Sequence, residues 1–194
     1  MSLSHACKFD LPAWVEGWVD ELSLQLDSSE TAMAFVIELA KENVRRGSGG
    51  PFGAAVVDTE TNELISVGVN LVTKSGLSIT HAEMVAISLA QHRLGEWNLG
   101  RVHRLSLVTS CEPCAMCFGA VPWSGVRKLV CGAGKADAEA AGFDEGEKPG
   151  NWVETLRHRQ IEVELGVLRE EAAGIFSLYR ESGGEIYNAD PGQE

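Results

Sequence analysis

The sequence predicts a three-layer α/β/α fold built on a five-stranded mixed sheet. Three observations carry that prediction. Segments of strand character alternate with segments of helical periodicity, which implies a central sheet covered on both faces. The first two strands are separated only by the turn at 58–62, too short for a crossover, so they pair antiparallel. The later strands are joined through helical stretches, which makes the sheet mixed.

Composition bounds what such a fold can be. At 194 residues, 44% hydrophobic and 23% charged, the chain reads as a single domain. Its core spans about 28–180, with an N-terminal helical extension over 1–27 and a flexible C-terminal tail over 181–194. Lys and Arg total 16 against 28 Asp and Glu, a net charge of −12. That balance argues against an electrostatic grip on nucleic acid or on an anionic membrane surface. No apolar run approaches the ~18 residues of a membrane span. The first ten residues lack the basic-then-apolar pattern of a signal peptide. Cys7, Cys111, Cys114, Cys117 and Cys131 are odd in number, and three fall within seven residues. A secreted disulfide framework is not built that way; a metal site in a reducing cytoplasm is.

The elements follow in order. Trp14, Val15, Trp18, Val19 and Leu22 recur at helical spacing behind Pro12, and the two tryptophans imply packing against the body or a partner. A helix is predicted over 28–46, capped by Asp27 with Glu30 as the reciprocal carboxylate. Met33, Val36, Ile37, Ala40 and Val44 form its buried stripe. Arg45 and Arg46 sit where the helix dipole favours cations, and the Gly-rich run 47–51 stops it. Strands are predicted over 52–57 and 64–70. Gly53, Ala54 and Ala55 admit a close approach to the backbone, whether by a ligand or by a helix packed above. A loop over 71–80 leads to a helix from 81 to 93, then a strand over 105–109. Pro113 is placed at the first position of a short helix over 113–120. A strand over 126–131, a small helix near 136–141, a helix over 151–159, a strand over 161–165 and a helix over 170–180 complete the series.

Chemistry concentrates in His81-Ala82-Glu83 and Pro113-Cys114-Ala115-Met116-Cys117. Cys114 and Cys117, three apart at a helix start, face the same way, and helix N-termini favour thiolates. With the imidazole of His81 they make three zinc ligands, the pattern of a catalytic site with an open position. Zinc lowers the pKa of a bound water to near 7. Glu83 can take that water's proton and pass it to a leaving group. The bland readings are a Thr80–Glu83 capping box, a purely structural zinc site, or part of an iron–sulfur run that would include Cys111. The placement of both motifs at helix starts, about thirty residues apart, favours catalysis. Cys111, at a strand end before Pro113, reads as a neighbour of the site. His-x-Glu with Pro-Cys-x-x-Cys is the signature of zinc-dependent nucleobase deaminases.

On these residues the chain resembles the cytidine and deoxycytidylate deaminase-like superfamily over roughly 32–179. Within it the run from Thr109 to Trp123, TSCEPCAMCFGAVPW, is most similar to bacterial guanine deaminases. The resemblance implies His81, Cys114 and Cys117 as ligands of one zinc per subunit, with Glu83 as proton shuttle. It extends to Pro51-Phe52-Gly53-Ala54 and Asn70. It implies that Phe52 lines a base pocket, that Asn70 bonds the purine edge, and that Ala82 and Trp123 touch the substrate. The loop 142–147 resembles the place where guanine deaminases supply an acid. Guanine offers two adjacent donors, N1–H and the C2 amine, which a carboxylate accepts well. Asp144 and Glu147 are both candidates, Asp144 as a substrate contact and Glu147 as a catalytic residue, while Glu145 reads as the one solvent could claim. Tyr187 is a possible contribution from the tail. The family implies a homodimer in the cytoplasm, working on a small base.

The expected activity is hydrolysis of guanine to xanthine and ammonia. The alternatives are a tRNA adenosine deaminase, a deaminase of cytosine or an aminotriazine, and a zinc-stabilised binding module without activity. The tRNA reading requires a basic surface, against a charge of −12.

Overall fold

The computed structural model describes residues 6–189. Its strands are β1 (Gly53–Asp58), β2 (Leu64–Val69), β3 (Leu105–Cys111), β4 (Lys128–Ala133) and β5 (Glu162–Glu164). They form one sheet in the order β2-β1-β3-β4-β5. β1 pairs antiparallel with both β2 and β3, whereas β3–β4 and β4–β5 are parallel. The helices are α1 (Trp14–Asp20), α2 (Ser29–Arg45), α3 (Val72–Ser75), α4 (Ala82–Leu94), α5 (Ala115–Ser124), α6 (Lys135–Ala140), α7 (Trp152–His158) and α8 (Arg169–Glu181).

Strand alternation builds the two cores. Ala55 and Val57 of β1 face the layer of α2 and α8, where Met33, Val36, Ala40 and Ile175 are buried. Ala54 and Val56 face the opposite layer, with Ala86 and Ala90 of α4, Val121 of α5 and Leu156 of α7. The predicted stripe of α2 is buried at every named position. The three-layer mixed fold is therefore the observed one.

Several boundaries differ for local reasons. The cap of α2 is Ser28, whose hydroxyl accepts from Thr31 N at 3.1 Å while Thr31 Oγ1 accepts from Ser28 N; Asp27 and Glu30 are not the capping pair. The predicted loop 71–80 contains α3, closed by Gly76 in the left-handed region at φ 68°. Pro113 precedes the next helix instead of opening it, because Cys114 takes the extended N-cap conformation (φ −62°, ψ 174°). α1 packs on its own chain: Trp18 stacks on Phe35 with ring centroids 5.8 Å apart.

The small residues of the sheet serve helix packing. A Cβ at Gly53 would lie 2.8 Å from the Val36 carbonyl of α2, so the close approach at this position is made by a helix. Gly68 does the same for α4, since a Cβ there would strike the Ala82 carbonyl and lie 2.6 Å from Ala86 N. This contact seats the first turn of α4, which carries His81 and Glu83. Gly68→Ala is expected to destabilise the fold by about 1–3 kcal/mol through overpacking. A thermal melt would read this as a drop of several degrees, and zinc retention should fall with it.

The chain after α8 folds back. Tyr179 Oη donates to Glu185 O at 2.7 Å, Gly184 lies under the Tyr179 ring, and Asn188 Nδ2 donates to Gly142 O at 2.8 Å. The stretch expected to trail as a flexible tail is thus anchored as far as Asn188. Residues 190–194 lie outside the described residues.

Candidate active site

The site lies beyond the carboxyl ends of parallel strands β3 and β4, where α/β sheets place ligands. Two helix starts meet there. His81 is the N-cap of α4 and Cys114 the N-cap of α5, both extended, so their side chains leave the helix ends instead of packing along them. Cys117, one turn on, turns the same way. His81 Nδ1 lies 3.5 Å from Cys114 Sγ and 3.6 Å from Cys117 Sγ. The three ligand atoms lie within 4.8 Å of one another.

The donor set fits zinc. Tetrahedral zinc with ordinary Zn–N and Zn–S bonds separates its nitrogen and sulfur ligands by about 3.5 Å, which is the spacing these side chains already hold. Cys114 is held down to about 4, first because the Cys117 thiol donates to it and further by His81. A thiolate is the form that binds metal. The His/Cys triad is a zinc-binding motif for one zinc per subunit, and Cys111 is outside it, buried with its thiol 3.8 Å from Gly134 O. Cys114→Ala is expected to abolish both; metal analysis of purified protein should fall from about one zinc per chain to none, and activity with it.

Glu83 is 6% exposed and lines the same cavity as His81 and Cys114. Burial raises its pKa, and the Cys114 thiolate raises it further. The capping-box reading fails, since the Thr80 hydroxyl donates to Leu77 O at 2.7 Å and His81 has no side-chain cap bond. The Glu83 carboxylate instead faces the Cys117 thiol and its own backbone N–H, beside the zinc ligands.

The cavity is about 300 Å³. Phe52, Phe143 and Tyr187 form its aromatic side, with Phe143 centred 5.0 Å from Phe52 and 5.3 Å from Tyr187. Asn70 is fully buried at the end of β2, its backbone N–H donating to Phe52 O. Its Oδ1 accepts from Val72 N at 3.1 Å, and its Nδ2 has no partner among the described residues. Tyr187 Oη is likewise buried and unpartnered.

The three acids of the loop differ in burial. Asp144 is exposed at the rim, with its carboxylate accepting from Gly146 N at 2.9 Å. Glu147 is exposed and does not line the cavity, because Gly146 turns the chain at φ 65°. Asp144 and Glu145 both line it, Asp144 from the exposed rim and Glu145 from inside, 5% exposed. Its carbonyl accepts from Ala115 N at 2.9 Å. The loop is closed by Lys148, which donates to Pro113 O at 2.6 Å and lies 3.6 Å from Glu112. Burial first, then the Cys114 thiolate and the Glu83 carboxylate, push Glu145 up to about 8, while Lys148 opposes them. A divalent cation among these groups favours their ionised forms.

Three expected contacts, Asn70, Trp123 and Ala82, are not among the residues that line the cavity. Trp123 is 79% exposed near the end of α5 and does not line the cavity. It is six residues beyond Cys117, on another face of the helix. Ala82 is fully buried against Gly68, in the packing of α4 on β2. Sequence reasoning missed Phe143 and Asn188 as lining residues and read Glu145, which is buried, as the acid open to solvent. The one local signal was a buried aromatic two residues before the acid and a glycine just after it.

The fold and this site define a class. The pattern of the cytidine and deoxycytidylate deaminase zinc-binding region matches residues 26–133, and the chain belongs to that family. It is a zinc-dependent hydrolytic deaminase. Among solved structures it resembles guanine deaminase from Nitrosomonas europaea at 40% identity and a TM-score of 0.86, over 93% of this chain and 100% of the other. Guanine deaminase from Bacillus subtilis is 41% identical over 116 residues, 60% of this chain and 71% of that one. The tRNA-specific adenosine deaminase of Bacillus subtilis is 35% identical over 159 residues, 79% of this chain and 89% of that one. No helix among the described residues is long and apolar enough to cross a membrane.

Proposed function

We propose that the substrate is a free purine base and that it is guanine, hydrolysed to xanthine and ammonia. The observation that carries the reading is Glu145: a buried carboxylate in an aromatic-sided cavity shared with His81, Cys114 and Glu83. Its two oxygens suit the adjacent N1–H and C2 amine donors of guanine. Adenine has an unprotonated N1 and no C2 amine, and would leave that carboxylate buried without partners. Asn70 Nδ2, unpartnered and buried, supplies a donor for a ring acceptor. Phe52 offers a flat apolar surface to the ring. The two guanine deaminases named above support the same reading.

Zinc bound by His81, Cys114 and Cys117 would supply Lewis acidity and an activated water at neutral pH. Glu83 takes the proton of the attacking water and delivers it to the departing amine, a transfer suited to a carboxyl whose pKa is raised. Glu145 and Asn70 hold the base in plane. Product analysis tests the assignment: guanine should give xanthine and ammonia in equal amounts, and absence of xanthine would refute it.

A homodimer is part of the proposal. α5 leaves Met116 and Trp123 exposed, the latter at 79%, an apolar face for a second copy. Analytical ultracentrifugation at micromolar concentration should find a dimer; a stable monomer would contradict it. The five free cysteines suit a reducing compartment.

A further inference from the structure

The helix α1 precedes the deaminase pattern, yet it is tied to the pocket by an unbroken series of hydrogen bonds. Trp14 Nε1 donates to Ser48 Oγ at 3.0 Å. Ser48 Oγ donates to Asn43 Oδ1 at 2.9 Å. Asn43, fully buried on α2, donates through Nδ2 to Gly50 O at 2.9 Å and to Asn70 O at 3.1 Å. The amide of Asn43 is thereby satisfied on both atoms, and its orientation is set by Ser48 on one side and two backbone carbonyls on the other. The fit at this point is tight: a Cβ on Gly49 would collide with the Asn70 carbonyl. Asn70 N donates in turn to Phe52 O.

We propose that α1 is a positioning element for the base pocket, acting through Trp14, Ser48 and Asn43 on Asn70. The ring of Trp14 already has packing partners in Trp18, 6.0 Å away, and in the Arg46 guanidinium, 5.1 Å above it. Packing alone therefore needs the ring and not its N–H. The N–H is spent on Ser48, and what it stabilises is the rotamer of the residue that clamps the end of β2. Held there, Asn70 keeps Nδ2 buried and without a partner among the described residues, while Oδ1 is retained by Val72 N and the backbone N–H is fixed on Phe52, which lines the cavity. The inference rests on the reading of Asn70 as a substrate contact.

The test uses Trp14→Phe, which keeps an aromatic ring and removes the donor, and Ser48→Ala, which cuts the relay one link on. Each is assayed with guanine in the wild-type and in the Asn70→Ala background, with zinc content and thermal midpoint recorded. The expected result is a KM raised about three- to tenfold, the scale of one lost hydrogen bond. The turnover number should stay within about twofold and zinc content should not change. In the Asn70→Ala background the same substitutions should add nothing to KM. A lower thermal midpoint with unchanged KM would overturn the proposal and leave α1 a packing element. An effect on KM that persists undiminished without the Asn70 side chain would overturn it too. If the wild type prefers another base, the comparison is made on that base; the guanine reading then fails in the wild type, and the relay is judged by the variants.

Discussion

Glu83→Gln should lower the turnover number by ~10²–10⁴-fold, the usual scale of lost acid–base catalysis, with zinc still at about one per chain. The amide keeps the shape and the hydrogen-bonding reach of the carboxyl but cannot carry the proton. Glu83 lies in the first turn of α4, two residues from His81, and it is buried in the same cavity. Its burial raises its pKa above the usual carboxylate value, the direction that favours carrying a proton. A structural role would instead show as a lower thermal midpoint with the rate preserved. Steady-state kinetics on protein of known metal content separates the two, and a variant near full rate would remove Glu83 from the mechanism.

Glu145→Gln should reduce kcat/KM for guanine by ~10²–10³-fold, the scale of truncating one side of a buried charged hydrogen-bonded pair. The amide can accept from only one of the two guanine donors and turns its own donor on the other. Asp144→Asn and Glu147→Gln, assayed beside it, should stay within about threefold of wild type by the same reasoning. The Asp144 carboxylate is engaged by Gly146 N and Glu147 is exposed. An unaffected Glu145→Gln enzyme with a crippled Glu147→Gln enzyme would reverse the assignment of this loop.

The parts of the molecule that were legible in the sequence are those fixed by local periodicity and spacing. The stripe of α2 repeats at helical intervals, so its burial follows from the chain alone. The zinc ligands were legible because both motifs sit at helix starts, and the N-cap conformation of His81 and Cys114 needs no distant partner. The acid loop was not. Three acids within four residues are equivalent by composition, and which of them is buried is decided from outside, by Ala115 N, by Lys148 on Pro113 O and by the turn at Gly146. The cap of α2 was misplaced by one residue because Asp27 and Ser28 are both good caps, and the Thr31 hydroxyl decides between them. Asn43 carried no signal at all. An asparagine inside a helical stripe shows its purpose only when Gly50 and Asn70 are brought to it by the fold.

Ammonia release across a panel of free bases, nucleosides and a tRNA anticodon arm tests the central claim most directly. Zinc-loaded wild-type protein should show its highest kcat/KM with guanine. Adenine should be poorer by a large factor, up to the ~10⁴–10⁵ reached by sites whose buried polar groups are left unpaired by an analogue, and guanosine should also be poor. Faster deamination of adenosine in the tRNA arm than of guanine would contradict the account.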